Sequence, residues 1–194
     1  MPLTTLPRKL LTLAFIVRER VAVDGAAAVL STAGDSVAAA ASSVNEAKEV
    51  SEVLLGEKKR GFGKGKWNGF GGKVDASDAS IVAAAAREIQ EEANVTVHER
   101  DLEHRGVLLF TFEGGKEVLE VHVYLTTKFT GEPSESDEMK PQWYDVASIP
   151  FSRMWADDHI WLPHVLAGKC VNGHFHFSSD EDTMLTHDLN VTEV

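Results

Sequence analysis

The sequence holds a single cysteine, Cys170, so no disulfide forms within the chain and a disulfide-stapled scaffold is excluded. No apolar run reaches the ~18 residues that a membrane-spanning helix requires. Positive charge is in deficit: 19 lysines and arginines stand against 30 acids, for a formal net charge of −11. General nucleic-acid binders present a basic face, so that class is disfavoured. The scarce positive charge is concentrated, however, with Lys58, Lys59, Arg60, Lys64, Lys66 and Lys73 in one short stretch. A basic pocket on an acidic protein suits a small polyanion better than a long polymer. One free thiol fits a reducing compartment, and we expect a cytoplasmic protein. A basic N-terminus without acids before Glu19 keeps a mitochondrial or nuclear location as the alternative.

At 194 residues, 43% hydrophobic and 25% charged, the chain suits one domain over 1–194 with a full core. Residues 10–18 are expected to form a strand. Residues 19–50 turn rich in Ala, Val and Ser and lack aromatic anchors. They are expected to be a flexible insertion, with 36–48 as a weaker helical segment. A strand at 51–58 precedes the glycine-rich run 60–74. The clearest helix is 79–93, whose apolar face is Ile81, Val82, Ala85, Ala86 and Ile89. Ser77, Asp78 or Ser80 caps its start, and Asn94 ends it. Strands are expected at 104–113 and 117–128, turning at Gly114-Gly115, and again at 142–146. A helix at 157–168 and a hairpin at 173–178 and 183–189 complete the chain. This order predicts an α+β fold with helices packed on a mixed central sheet.

Glu88, Glu91 and Glu92 carry the first chemical signal. At 100° per residue they fall within an arc of roughly 100°, turned away from the apolar stripe. Three such carboxylates repel by about 1 kcal/mol per pair at 4 Å even in water. A divalent cation converts that repulsion into ligation, and hard oxygen ligands suit Mg²⁺, with Mn²⁺ as a substitute. An acidic helix face is more often merely solvated. The surrounding residues shift that balance, because Gly71-Gly72-Lys73-Val74 precedes the helix and Arg87-Glu88-Ile89-Gln90-Glu91-Glu92 closes it.

With Gly72, Arg87, Glu88, Ile89, Glu91, Glu92 and Val95 in place, this segment resembles the Nudix box, G-x5-E-x7-R-E-U-x-E-E-x-G-U with U apolar. Two positions depart from that pattern. One extra residue lies between Gly72 and Arg87, with Asp78 standing in for the first glutamate. Asn94 replaces the closing glycine. The resemblance implies a Nudix-type α/β/α sandwich and a box that binds the metal acting on a diphosphate linkage. Metal ligands are then expected among Gly72 (through its carbonyl), Glu88, Glu91, Glu92 and Glu138. Glu92 and Glu138 are the candidates for the water-activating base.

Similarity to the oxidised-purine branch of that family extends further, through EVLLGEKKRGFGKGKWNGFGGKV, SDEMKPQWY and MWADDHIWLP, and omits only the 19–50 stretch. It implies hydrolysis of oxidised purine nucleoside triphosphates, of the 8-oxo-dGTP and 2-hydroxy-dATP type, to monophosphate and pyrophosphate. It points to Thr12, Leu13, Lys58, Phe62, Asn68, Phe110, Phe112, Met139, Trp155, Asp157, Asp158 and Trp161 as substrate-binding. Leu119 stands where the family has methionine. An indole can stack a base, Asn68 offers a donor and an acceptor, and adjacent Asp157 and Asp158 in a semi-apolar pocket would titrate as a pair. For the aspartates, capping of the 157–168 helix is an equal alternative. The expected partner is a nucleotide alone, with no nucleic acid, no membrane and a monomeric protein. Hydrolysis of another nucleoside diphosphate derivative, or a catalytically inactive nucleotide-binding domain, are the competing functions. His174 and His176 share one strand face and suggest no metal site.

Overall fold

The computed structural model describes residues 5–21 and 48–194. One mixed sheet organises them. In chain order the elements are β1 (Arg8–Val21), β2 (Lys48–Lys58), β3 (Trp67–Asn68), α1 (Ile81–Ala93), β4 (Glu103–Phe112), β5 (Val118–Thr126), β6 (Met139–Asp145), α2 (Asp158–Leu166), β7 (Cys170–Phe177) and β8 (Met184–Thr192). The strand order is β3-β2-β1-β5-β4-β7-β8, and β6 also pairs with β2. β1 runs parallel to β5 and β4 parallel to β7, while the remaining pairs are antiparallel.

Alternation along β1 sorts its side chains between two cores. Phe15 and Val17 join Trp161, Leu162, Val165 and Leu166 of α2 on one face of the sheet. Ala14 and Ile16 meet Ala85, Ile89 and Ala93 of α1 on the other. One helix on each face makes the expected α/β/α sandwich, an α+β fold. Among the described residues no helix is long and apolar enough to cross a membrane.

α1 begins two residues later than expected because Ser80 is the cap. Ser80 is extended (φ −162°), and its Oγ accepts from the backbone N–H of Ala83 at 3.0 Å. At the other end Asn94 takes the left-handed conformation, φ 58°, which a glycine would adopt without cost. Ser80→Ala is expected to lower stability by about 1 kcal/mol. The check is the urea midpoint of unfolding, and an unmoved midpoint would remove the cap from the account.

Other boundaries also differ from expectation. Residues 19–21 and 48–50, assigned to the insertion, are strand, and they pair with each other as the outer arms of β1 and β2. The rest of that segment, including most of the expected 36–48 helix, lies outside the described residues. β6 starts at Met139 and runs through Pro141, which its position pairing with β2 alone allows, since an edge strand leaves one row of N–H groups unused. α2 starts at Asp158, so Asp157 precedes it.

Candidate functional site

The glycine-rich run reaches the site as an extended segment laid along β1. The N–H of Thr12 donates to Gly72 O at 2.8 Å, that of Val74 to Leu10 O at 3.0 Å, and Ala14 and Phe70 exchange both their bonds. This approach leaves no room for a side chain at Gly71, where a Cβ would lie 2.0 Å from Thr12 O. At Gly72 a Cβ would lie 2.7 Å from Glu88 Oε1. The closeness of strand, glycines and α1 is what places backbone polar groups beside the helix carboxylates.

Glu92 shows the consequence. It was expected on the solvent side of α1, yet it is 2% exposed. It lies three residues beyond Ile89, roughly 60° from the centre of the apolar stripe, and the glycine segment covers it. Its Oε2 accepts from the N–H of Gly71 at 2.9 Å, and its Oε1 lies 3.3 Å from Lys58 Nζ. Burial pushes its carboxyl up to about 7, against the opposing pull of Lys58 and Gly71. Burial also raises Glu88 above the ordinary range.

The four expected carboxylates do not converge. Arg87 Nη1 donates to Glu88 Oε1 at 2.9 Å and to Glu91 Oε2 at 3.0 Å. Glu138 is paired with Arg60. Among the described residues, no three acidic, histidine or cysteine side chains meet at one point. The arginines compensate the acids that the sequence alone left to repel one another.

Beside this cleft opens a cavity of about 1110 Å³. Its wall contains Thr12, Leu13, Lys58, Phe62, Asn68, Gly72, Phe110, Phe112, Leu119, Glu138, Trp155, Asp157, Asp158 and Trp161. Met139 is not among them. It packs instead with Phe70 and Ile89 in the α1 core, and its side chain approaches Gly56. The strand phase explains the difference: β6 begins at this residue, and alternation turns its side chain through the sheet.

At the cavity wall Asp157 and Asp158 are 3% and 1% exposed. Asp157 follows neither of its two expected assignments simply, because its side chain makes no capping bond. Its Oδ2 accepts from the indole N–H of Trp161 at 2.7 Å. Asp158 Oδ2 accepts from the N–H of Trp155 at 2.9 Å. Burial raises the proton affinity of both, and the charge of Asp157 raises Asp158 further. Phe62 stacks on Trp155 with 4.7 Å between ring centroids. The Thr12 hydroxyl is buried without a hydrogen-bond partner.

A model of the NUDIX domain matches residues 35–165. The chain belongs to the Nudix family. An oxidized purine nucleoside triphosphate hydrolase of Danio rerio is 49% identical over 142 residues, covering 73% of this chain and 88% of that protein. The Mus musculus protein of the same name is 46% identical over 138 residues, covering 71% and 85%. A crystal structure of a MutT protein from Bacillus halodurans shares the fold, with a TM-score of 0.68, 24% identity and coverage of 94% and 97%.

The two departures from the Nudix box have structural explanations. Arg87, inside the box, donates from Nε to Asp78 Oδ1 at 2.9 Å and from Nη2 to Asp78 Oδ2 at 3.0 Å. Asp78 therefore supports the arginine through both carboxylate oxygens. Arg87 holds the Asp78 carboxyl below its usual range, helped by the N–H of Asp75. Asn94 supplies the left-handed turn of the missing glycine. Nudix hydrolases use divalent metal ions, and the residues here fit one. Glu88, Glu92 and the Gly72 carbonyl are hard oxygen donors around a backbone position that a Cβ would fill.

Sequence reasoning missed the far rim of the cavity. Lys9, Lys116, Phe177 and Glu181 also line it. Phe177 carried the alternating signal of a strand and Lys116 follows the expected Gly114-Gly115 turn, but neither signal points to a cavity. Among the histidines, His174 Nε2 and His176 Nδ1 each lie 2.8 Å from Thr111 Oγ1, so the pair is occupied by a hydroxyl on the open sheet face.

Proposed function

We propose that this Nudix hydrolase converts oxidised purine nucleoside triphosphates, of the 8-oxo-dGTP and 2-hydroxy-dATP type, to the monophosphate and pyrophosphate. The observation that carries the reading is the buried Asp157 and Asp158 pair in the wall of the cavity. Each aspartate accepts from a protein donor through Oδ2, Asp157 accepts from its own backbone N–H as well, and we assign the Oδ1 atoms to the ligand. Burial and mutual repulsion favour one shared proton near neutrality. One protonated and one ionised carboxyl donate to and accept from a purine edge, and exchanging the proton serves the opposite pattern. The names of the vertebrate relatives agree with this reading.

The phosphates then run from the cavity toward α1, past Lys58, which borders both. When bound, Mg²⁺, or Mn²⁺ in its place, would supply positive charge against the phosphates and lower the pKa of water at the site. Glu88, Glu91 and Glu92 of α1, the Gly72 carbonyl and Glu138 are the residues that would hold it. Water adds to phosphorus as pyrophosphate leaves, and a carboxylate takes the proton. Glu92, with a proton affinity near neutrality, suits that role, and Glu138 at the cavity rim is the second candidate. Asn68, Trp155, Phe62, Phe110, Phe112 and Leu119 enclose the base, with Trp161 orienting Asp157. We expect one monomeric domain acting on free nucleotides of the cytoplasmic pool, or of mitochondrial or nuclear pools, without nucleic acid or membrane.

The test is pyrophosphate release from a panel of normal and oxidised dNTPs, with Mg²⁺, Mn²⁺ or EDTA. We expect oxidised purines to exceed their normal counterparts in kcat/KM by at least about tenfold, and EDTA to stop turnover. Equal rates on all normal dNTPs would retire the oxidised-purine assignment and leave a general hydrolase. Release from a sugar nucleotide alone would move the substrate class.

A further inference from the structure

Lys66 belongs to the basic stretch, but its ammonium does not point along the phosphate path. Its backbone is tied at both ends: its N–H donates to Gly63 O, and its carbonyl accepts from the N–H of Lys58, each at 2.9 Å. From there Lys66 Nζ stands 4.7 Å from the centroid of a Trp155 ring, which makes a cation–π contact. The same ammonium is 2.7 Å from Asp182 Oδ1. Asp182 is held out by a structured turn between β7 and β8. Asp180 Oδ1 accepts from the N–H groups of Asp182 and Thr183 at 2.9 and 2.8 Å, and Ser178 and Thr183 hydroxyls bind the same carboxylate. The ion pair therefore joins the glycine-rich loop to the β7–β8 turn across the cavity mouth, where both Lys66 and Glu181 form wall.

We propose that Lys66, anchored by Asp182, is a specificity-determining residue that sets the order in which the pocket accepts purines with different donor and acceptor edges. The inference rests on the functional reading above. Its physical basis is placement. Lys66 contacts the Trp155 ring, the backbone N–H of the same residue binds Asp158, and Lys66 shares the cavity wall with both aspartates. The charges acting on the pair are Lys66 from the glycine-rich loop and His159 from α2, and Lys66 favours the ionised form of each aspartate. Asp182 is the acid paired with Lys66, and Glu181 beside it lines the wall. Removing the ammonium favours protonated aspartates, so purines that need a donated hydrogen gain over those that need an acceptor, and the pH at which preference changes moves upward.

The experiment measures kcat/KM for 8-oxo-dGTP and 2-hydroxy-dATP from pH 5.5 to about 9 in wild type, Lys66→Met, Lys66→Arg and Asp182→Asn. In Lys66→Met the profiles should move up by less than about one pH unit, changing the ratio of the two substrates by a few-fold at fixed pH. Lys66→Arg keeps the charge and should restore the wild-type ratio. Asp182→Asn leaves the cation but unties it and should fall between wild type and Lys66→Met. An equal loss for both substrates at every pH would overturn the proposal, as would an unchanged ratio and profile in Lys66→Met. If wild type shows no preference for oxidised purines, the functional reading itself fails, a result distinct from any variant's behaviour. Thermal unfolding of each variant accompanies the kinetics, so that a misfolded protein is not scored.

Discussion

Glu92→Gln is expected to lower kcat by roughly 10³-fold or more while leaving nucleotide binding in place. The amide keeps the volume of the side chain and an oxygen for the N–H of Gly71, so the glycine segment need not move. It cannot take a proton from water, and it offers a weaker oxygen to a cation. A second effect runs in the opposite direction. The unfolded glutamate loses its proton near 4.5, whereas the folded one holds it up to about 7 because it is buried. Stability from this group is therefore fully present below about pH 4.5 and is lost as pH rises through about 7, by at most about 3 kcal/mol. Gln does not ionise, and the metal-free variant should be more stable than wild type at pH 8 and little different at pH 4.5. Pyrophosphate release, nucleotide titration calorimetry and thermal unfolding at the two pH values check the three parts. Near-normal turnover would remove Glu92 from the chemistry and direct the same experiment to Glu138.

That prediction depends on a feature the sequence did not reveal. α1 was legible because its apolar stripe, its Ser80 cap and its Asn94 stop act locally and agree with one another. The burial of Glu92 was not, because it depends on Gly71 and Gly72 lying against β1, a contact between segments far apart in the chain. Met139 was misplaced for a related reason. Its surroundings follow the phase of β6, and Pro141 suggested a later start than an edge strand requires. The aspartate pair was visible as adjacent acids between tryptophans, and family resemblance distinguished recognition from capping. Only the structure shows that Trp155 and Trp161 each occupy one aspartate oxygen. The Lys66–Asp182 bridge joins residues 116 positions apart, and nothing in the glycine-rich string around Lys66 points to its partner in the β7–β8 turn.

The aspartates also offer the sharpest separation of recognition from chemistry. Asp158→Ala should lower kcat/KM for oxidised purines by roughly 10²-fold or more. A site built to hydrogen-bond a polar edge loses the bond and leaves the ligand group unpaired. Asp158→Asn is the more informative change. The amide resembles a carboxyl that never ionises, with an oxygen for the N–H of Trp155 and a fixed donor for the base. We expect it to retain one class of purine, to lose the other, and to flatten the limb of the pH profile that reflects ionisation of the pair. Burial and the charge of Asp157 raise the proton affinity of Asp158, so wild type loses stability as pH climbs from the unfolded aspartate value through the folded one. Asn abolishes that loss, and the variant should unfold at a higher temperature than wild type at alkaline pH. If Asp158→Asn treated every purine as wild type does at all pH values, the pair would be a buried structural element and base selection would have to be sought along Asn68 and the aromatic wall.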